Sequence, residues 1–349
     1  MSPQLHIYAL FDKFSDTSSC LIAPNTNETG QHSRVMTKFS LENQVTLIAG
    51  GSQGLGKEFA RKLYQEGANN TVIVVSRSQN KLQHAVCSIT GLETAQELSE
   101  GFKNVSHEQQ HNSIFYMSCD LAEYAQVEKL YELLAASEIV PTQVLLCAGG
   151  STPGLFKDLS GHDLELGVRV NYMTCVNLAH IAVRKWPGSH LVFFSSEVAF
   201  FPFIGYSQYA PLKQSIKSLV AILRQECAPQ RISCVYPGNF DSEGYALENE
   251  TKPAITKEIE GPSDAISCAE CCDRICKTLK AGYDDVTTDF IGWVLMSTDM
   301  GLNKQNNVSF GWPLQWLLGI FANLLIVPIY MLICKFQIKQ WRKSCQKKN

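Results

Sequence analysis

Short apolar runs alternate with longer amphipathic stretches from about residue 43 onward. The run QVTLIAGG is rich in β-branched residues and ends in glycines, which is typical of a buried strand in a parallel sheet. The stretch KEFARKLYQEGA follows, with Phe59, Leu63 and Tyr64 at helical spacing and Gly67 as a stop signal. Further apolar runs are TVIVVSR, IFYMSCD, QVLLCAGG, HLVFFSSE and RISCVYPG. This alternation predicts an α/β fold, a doubly wound parallel sheet forming a single domain over residues 41–300.

Two polar stretches interrupt or precede this pattern. Residues 1–40 are rich in Ser, Thr and Asn and lack sustained periodicity, so we expect a flexible N-terminal extension. Residues 91–113 are polar and irregular, which predicts a surface insertion. The first twenty residues have neither a basic region nor an apolar core of the kind found in secretory signal peptides.

The C-terminal pattern is different. Residues 312–334 carry no charge over 23 positions, and an apolar helix of about 20 residues is long enough to cross a bilayer. Residues 335–349 contain six basic residues and no acid, a composition that stays cytosolic. The preceding domain lacks an export signal, and a single span cannot leave both of its ends on one side. Pro328, with Asn323 and Gln315, could break the segment into a re-entrant hairpin or an interfacial pair of helices. The prediction is a monotopic membrane anchor.

Composition excludes some function classes. A formal net charge of −3 gives no electrostatic case for binding nucleic acid. The thirteen cysteines are scattered, and many lie in apolar runs where a reduced cysteine serves as a small hydrophobic residue. The group Cys268, Cys271, Cys272 and Cys276 lies on a predicted helix without a second ligand pair, so we predict no metal site.

A glycine-rich turn follows the first strand. In AGGSQGLGKEF the residues Gly50, Gly54 and Gly56 have the spacing G-x3-G-x-G, with a strand before them and a helix after. Glycines let the backbone approach a pyrophosphate, and the helix N-terminus supplies N–H groups that have no partner in the helix. This context predicts a Rossmann-type nucleotide site. Its predicted contacts are Gly50, Ser52, Gln53, Gly54, Leu55 and Gly56.

The second strand ends in VVSRSQNKL. A site that prefers NAD usually has an acid there, whereas this chain has Arg77 and, four residues on, Lys81. Two cations suit a 2′-phosphate and favour NADPH/NADP+, although both side chains are also compatible with a solvated surface. The other predicted cofactor contacts, at the ends of the third and fourth strands, are Asp120, Leu121, Ala148 and Gly149.

Tyr209 and Lys213 lie four residues apart and so share one face of a helix. Ser196 lies 13 residues before Tyr209, at the end of the strand HLVFFSS. The nearby Tyr206 has no lysine at the same spacing. Pro211 is tolerated only in the first turn of a helix, so the helix is predicted to begin close to Tyr209 and to leave Tyr206 in the loop.

Together, the glycine turn, the strand ending in serine and the Tyr-x3-Lys pair resemble the short-chain dehydrogenase/reductase family, over about residues 43–290. The resemblance implies that Tyr209 donates a proton to a reduced carbonyl and that Ser196 polarises this carbonyl. Lys213, together with the positive oxidised nicotinamide, is expected to lower the pKa of Tyr209, and the resemblance implies that Lys213 also binds the nicotinamide ribose. It also implies that Asn171 holds a water in a proton relay. The chain departs from the family pattern at Ala49, Cys147 and Thr174, none of which touches the tyrosine–lysine pair.

Within the family, GGSQGLGKEFA, SRSQNKL, CAGGSTPGLFKDL, VNYMTCVNLAH and FFPFIGYSQYAPLKQSIKSL resemble the fungal branch that reduces long-chain sphingoid ketones. This resemblance implies NADPH-dependent reduction of 3-ketosphinganine to sphinganine in sphingolipid biosynthesis, at the cytosolic face of the endoplasmic reticulum membrane. It also implies contact with membrane lipid, and family members often form homodimers through the helices that carry Asn171 and Tyr209. We expect the aromatic residues Phe200, Phe201 and Phe203 to line the substrate wall. A further hypothesis is that Asp241 and Glu243 attract the amino headgroup.

Two other functions stay open at this point. The chain is also compatible with an NADPH-dependent reductase of another lipid ketone, such as a sterol or a 3-ketoacyl chain. A membrane-anchored, catalytically silent binding protein is the second alternative, and the intact Ser196, Tyr209 and Lys213 count against it.

Overall fold

The structure is a computed structural model that describes residues 38–99, 111–261, 265–299 and 311–346. Within these residues, seven parallel strands form one sheet. Their bounds are β1 Val45–Ala49, β2 Thr71–Ser76, β3 Ser113–Ser118, β4 Gln143–Leu146, β5 His190–Phe194, β6 Ile232–Tyr236 and β9 Asp285–Thr287, while β7 Phe240–Asp241 and β8 Ile266–Ser267 form a separate parallel pair. The order across the sheet is β3-β2-β1-β4-β5-β6-β9. The strand order reverses between β1 and β4, and ligands bind beyond the carboxyl ends of the strands at such a point.

Helices cover both faces of the sheet. The α-helices of the described residues are α1 Gly54–Gln65, α2 Gln79–Thr90, α3 Tyr124–Ala136, α4 Gly161–Val168, α5 Thr174–Lys185, α6 Ala210–Glu226, α7 Glu243–Thr251, α8 Ala254–Glu260, α9 Cys268–Lys280, α10 Phe290–Thr298, α11 Trp312–Phe321 and α12 Val327–Gln346. Helices α3, α5 and α6 pack on one face and α1, α2 and α9 on the other. Successive residues of one strand point to opposite faces of the sheet, so Leu47 packs in the core on one face and Ile48 in the core on the other. The predicted doubly wound α/β fold is confirmed.

The cysteines of α9 belong to the second of these cores. Cys271, Cys272 and Cys276 are buried beside Ile275 and Leu279, so they act as small apolar side chains. Within the described ranges, no group of three or more His, Cys, Asp or Glu side chains is arranged to hold a metal ion.

The two polar stretches lie partly outside the described residues, which omit 1–37 and 100–110. At the end of the predicted N-terminal extension, Phe39 is buried and its ring meets His190 edge-on, so the core begins before residue 41. In the predicted insertion, the Leu98 amide donates to the Tyr116 carbonyl at 2.9 Å, which adds a short parallel bridge beside β3. Ser113 already belongs to β3.

The apolar C-terminal segment is one uninterrupted helix, Trp312–Gln346, and among the described residues it is the one helix long and apolar enough to cross a membrane. Pro328 therefore does not break the segment into two helices. A π-helical turn, Ala322–Ile326, precedes the proline, and such a turn relieves the clash between a proline ring and the preceding carbonyls. The Asn323 amide also stays inside the fold, donating to the carbonyls of Gly319 and Thr298 at 3.0 Å each.

This helix contacts the α/β domain at several points between Gly319 and Trp341. The backbone of Gly319 lies so close to Ser297 that an added Cβ would be 2.1 Å from the Ser297 carbonyl oxygen. The Tyr330 hydroxyl donates to the Ile259 carbonyl at 2.9 Å, and Cys334 and Trp341 belong to a cluster with α8. Its exposed side is apolar, with Leu314, Trp316, Leu317, Ile320, Phe321, Leu324, Leu325, Ile329, Leu332, Ile333 and Phe336.

Candidate active site

The turn between β1 and α1 fits tightly against the end of β4. Gly50 has φ of +82°, and an added Cβ would lie 2.8 Å from the Ala148 backbone. An added Cβ on Gly56 would lie 2.4 Å from the Gly50 carbonyl oxygen. Both positions therefore require glycine, and together they bring the N-terminus of α1 to the edge of the cleft.

The first turn of α1 attracts negative charge. Its N-cap residue, Gln53, makes no side-chain cap hydrogen bond. Instead, the Gly54 amide donates to Oε2 of Glu243 at 3.1 Å. A carboxylate at this helix end indicates that the site favours negative charge, as a cofactor pyrophosphate would require.

Two cations stand beside this turn, beyond the end of β2. Arg77 and Lys81 are exposed and line the same cleft, and Nζ of Lys81 donates to Oε1 of Gln53 at 3.0 Å. The β3 end adds Asp120, whose carboxylate accepts from the Arg169 guanidinium at 2.9 Å. The residues present therefore fit a nicotinamide dinucleotide, with backbone donors for the pyrophosphate and two cations at one end.

The loop after β4 forms the floor, and Asn171 holds it in place. Asn171 is fully buried in the π-helical turn Arg169–Met173 that joins α4 to α5. Its Oδ1 accepts from the Gly150 amide at 3.0 Å, and its Nδ2 donates to the Gly150 carbonyl at 2.7 Å. The side chain thus binds both backbone groups of one loop residue and lies behind the cleft wall. Its role in a proton relay stays a prediction.

The tyrosine, lysine and serine singled out by their spacing meet in the cleft. Helix α6 begins at Ala210 with Tyr209 as its N-cap residue, which confirms the predicted helix start. Nζ of Lys213 lies 5.4 Å from the centre of the Tyr209 ring and donates to the Phe194 carbonyl at 3.0 Å. Ser196, two residues after the end of β5, lines the same cleft, and its hydroxyl is near enough to lower the pKa of Tyr209. An acid, a cation and a hydroxyl donor therefore converge at one point.

Burial dominates the protonation states of this group. It raises the pKa of Tyr209, the Glu248 carboxylate raises it further, and the Ser196 hydroxyl lowers it. Burial also lowers the pKa of Lys213 to about 8, against the opposing effect of nearby thiols. The expectation that Lys213 brings the pKa of Tyr209 below its ordinary value is therefore not met by the protein alone. Tyr209 is held protonated, which is the form that donates a proton.

A buried polar network beside Tyr209 had no signal in the sequence motifs. The Tyr206 hydroxyl donates to Oε1 of Glu248 at 2.5 Å, and Nζ of Lys252 lies 3.0 Å from the same oxygen. Lys252 also contacts Oε2 of Glu260 at 2.7 Å. The spacing of Glu248 and Lys252 on one helix is readable from the sequence, but their meeting with Tyr206, 42 residues from Glu248, comes from the fold.

Glu197 is a second residue that the motifs do not reveal. It follows Ser196 directly, and its carboxyl group is buried against Asp289 and the backbone of Gly292. Burial raises the pKa of Glu197 to about 9, with a further contribution from Asp289. Asp289 in turn accepts from the Gly292 amide at 2.8 Å, at the start of α10. The contact between Glu197 and Asp289 therefore connects the segment after Ser196 to the start of α10.

The substrate-wall residues expected from the sequence lie elsewhere. Phe200 packs on Tyr236 with ring centres 4.5 Å apart, and Phe201 stacks on Phe203 at 5.4 Å, beside the C-terminal helix. Asp241 and Glu243 line a second hollow next to Gly54 instead of the cleft that holds Tyr209.

One cleft of about 420 Å³ joins the remaining predicted site residues. Its lining includes Gly50, Ser52, Gln53, Gly54, Leu55, Gly56, Arg77, Lys81, Asp120, Leu121, Ala148, Gly149, Ser196, Tyr209 and Lys213. Asn171 is the predicted site residue that lies outside this lining.

Comparison with known proteins gives the same fold and indicates a chemistry. The family model described as short chain dehydrogenase matches residues 44–253. A 3-ketodihydrosphingosine reductase of Kluyveromyces lactis is 54% identical over 316 residues, covering 88% of this chain and 99% of the relative. The reductase of that name in Saccharomyces cerevisiae is 51% identical, covering 87% of this chain and 97% of the relative.

Solved structures are similar at the level of the fold. A short-chain dehydrogenase/reductase from Mycobacterium marinum is 18% identical with a TM-score of 0.59, covering 71% of this chain and 95% of that one. A short chain dehydrogenase from Burkholderia cenocepacia, solved in complex with NADP, is 19% identical with a TM-score of 0.56, covering 71% and 97%.

Proposed function

This chain belongs to the short-chain dehydrogenase family, and from that premise we propose that it reduces the 3-keto group of 3-ketosphinganine with NADPH, giving sphinganine for sphingolipid biosynthesis. The observation that carries the reaction type is the convergence of Tyr209, Lys213 and Ser196 in the cleft of the glycine turn. The choice of substrate is supported by relatives that carry the name 3-ketodihydrosphingosine reductase at 54% and 51% identity.

Three side chains perform the reduction around the ketone. When bound, NADPH would supply the hydride for the carbonyl carbon. The Ser196 hydroxyl and the Tyr209 hydroxyl donate hydrogen bonds to the carbonyl oxygen and so stabilise the negative charge that develops there. Tyr209 then transfers its proton to that oxygen, which completes the alcohol. The Lys213 ammonium stabilises the tyrosinate that remains until Tyr209 is protonated again.

The preference for NADPH over NADH rests on the cations beyond β2. Arg77 and Lys81 line the cleft of the glycine turn, and two cations would bind a ribose 2′-phosphate with charge-assisted hydrogen bonds. The end of β2 offers Ser76 in place of the acid that would accept from a 2′-hydroxyl.

The C-terminal helix is proposed to lie on the cytosolic face of the endoplasmic reticulum membrane instead of spanning it. Its contacts with the domain run from Gly319 to Trp341, two residues that are 22 positions apart, which is about 33 Å of helix. That length matches the hydrocarbon core of about 30 Å, so a spanning helix would draw the polar domain into the bilayer. Lying flat, the same helix buries its exposed apolar side in lipid while the domain stays in water. Such an anchor places the reductase where a long-chain substrate resides.

Assays of NADPH oxidation with 3-ketosphinganine, a sterol ketone and a 3-ketoacyl substrate test the proposal. We expect turnover of 3-ketosphinganine to exceed that of the other two. Turnover confined to a sterol or ketoacyl substrate would replace the assignment, and no turnover on any ketone would favour a silent binding protein.

A further inference from the structure

Two carboxylates in the cleft wall share one lysine. Glu248 and Glu260 both line the cleft that contains Tyr209, whereas Lys252, which lies between them, is not part of that lining. The Lys252 side chain is 1% exposed, against 14% and 15% for the two carboxylates. Two negative charges and one positive charge leave this part of the wall with a net negative charge that faces the cleft.

This charge lies next to the reacting atoms. Tyr206, which donates to Glu248, has its ring centre 6.1 Å from that of Tyr209. The Glu248 carboxylate is close enough to raise the pKa of Tyr209, after the larger effect of burial. A cationic group bound at Glu248 would therefore be a near neighbour of the carbonyl oxygen held by Tyr209.

Glu248 is held in place as a binding residue requires. Oε1 accepts from the Tyr206 hydroxyl at 2.5 Å and lies 3.0 Å from Nζ of Lys252, and Tyr206 is itself buried. A carboxylate fixed by two donors in a water-poor wall loses little freedom when a ligand binds. Its charge is also weakly screened there, so an incoming cation is attracted strongly.

In 3-ketosphinganine the amino group is bonded to the carbon next to the carbonyl, and an aliphatic amine is protonated at neutral pH. When the carbonyl oxygen is bound at Tyr209, the ammonium group lies next to it. The distance from that oxygen to the ammonium group is then comparable to the distance from Tyr209 to the Glu248 network. The charge, the position and the rigidity of the network all match this group. A sterol or a simple ketoacyl chain has no cation to place there.

We propose that Glu248, oriented by Tyr206 and Lys252 and assisted by Glu260, binds the ammonium group of the substrate and selects amino ketones over neutral lipid ketones. The proposal rests on the proposed function, because it needs a substrate with an amine next to the ketone. Glu248 touches the substrate, while Tyr206 and Lys252 are positioning residues.

The test compares two ketones on the full-length protein in detergent micelles. One is 3-ketosphinganine, and the other is the same chain with hydrogen in place of the amino group. For the unmodified protein we expect kcat/KM to be at least about tenfold higher with the amino ketone, as expected for a charge-assisted hydrogen bond. Glu248→Gln should lower kcat/KM for the amino ketone about 10- to 100-fold and change that for the neutral ketone less than about threefold.

Glu250→Gln is the matched control, since it removes a carboxylate from the exposed side of the same helix, and we expect it to leave both substrates unchanged. Equal losses on both ketones in Glu248→Gln, or an unchanged ratio, would overturn the amine site. If that variant does not fold, the kcat/KM values of the unmodified protein for the two ketones still test the amine site. Turnover without preference for the amino ketone would overturn the amine site and leave the proposed function standing. No turnover of 3-ketosphinganine by the unmodified protein would instead overturn the proposed function, and this proposal with it.

Discussion

Tyr206 and Tyr209 lie with ring centres 6.1 Å apart, yet their hydroxyl groups serve different partners. The Tyr206 hydroxyl donates to Glu248, whereas Tyr209 lies in the cleft with Ser196 and with Lys213, whose Nζ is 5.4 Å from the centre of its ring. The start of α6 at Ala210 separates the two roles, because Lys213 lies one turn above Tyr209 and Tyr206 stays in the loop. One tyrosine is placed to donate a proton and the other to orient a carboxylate.

Replacing each tyrosine with phenylalanine should separate these roles. We expect Tyr209→Phe to lower kcat by about 10²- to 10⁴-fold, the range for loss of a general acid, because no other hydroxyl replaces the proton donor. Tyr206→Phe should keep most of kcat and raise KM for the amino ketone, because it frees Glu248 from one of its donors. Steady-state kinetics on both variants checks this, and equal losses of kcat would contradict the assignment.

Arg77→Ala tests the cofactor preference. Without the guanidinium, the 2′-phosphate loses a charge-assisted partner, so kcat/KM for NADPH should fall about tenfold or more while that for NADH changes little. Lys129→Ala, which removes an exposed cation on α3, serves as the control and should leave both values unchanged. A parallel loss for NADPH and NADH would mean that Arg77 does not contact the 2′-phosphate.

The buried Glu197 predicts a particular dependence of stability on pH. Its pKa of about 9 in the folded protein lies above its ordinary value of 4.5, so the folded state binds the extra proton between these values. The contribution of Glu197 to the free energy of unfolding is therefore greatest below about pH 4.5 and declines as the pH rises through about 9. Glu197→Gln mimics the protonated carboxyl group.

Thermal unfolding of the two proteins at pH 6 and pH 9 measures this effect. We expect Glu197→Gln to be the more stable protein at pH 9, by about 1 kcal/mol or more, because the variant has no buried carboxyl group to ionise. The stability of the variant should also change less between the two pH values. A variant that is less stable at pH 9, with an unchanged dependence on pH, would contradict a buried neutral Glu197.

The orientation of the C-terminal helix can be tested with an epitope tag placed after Asn349. If the helix lies on the cytosolic face, protease added to sealed microsomes should remove the tag. Opening the microsomes with detergent provides the control for cleavage. A tag that is protected until the membrane is opened would contradict the flat orientation.

The sheet and its cofactor turn were predictable because local sequence encodes them. Apolar strands between amphipathic helices specify a sheet covered on both faces, and Gly50 and Gly56 mark a turn that only glycine allows. Pro211 fixed the start of α6 in the same way, through its missing N–H. These signals act within a few residues of one another, so no knowledge of the tertiary structure is needed.

The features that the sequence did not predict depend on contacts between distant segments. The acids expected to meet the amino headgroup were Asp241 and Glu243, but the path of the chain after β6 brings Glu248 to Tyr206 instead. From the sequence alone Pro328 could break the C-terminal helix, but the π-helical turn before it keeps the helix whole. Asn171 binds a loop 21 residues away, a partner that spacing alone does not reveal.

The transfer of deuterium from NADPH to the substrate is the most direct test of the central claim. Full-length protein is incubated with 3-ketosphinganine and NADPH deuterated at the reactive carbon of its nicotinamide ring, and the products are analysed by mass spectrometry. We expect sphinganine with one deuterium on the carbon that carried the keto group, and we expect Tyr209→Phe to form little of it. An absence of labelled sphinganine with the unmodified protein, or equal labelling with Tyr209→Phe, would contradict the account.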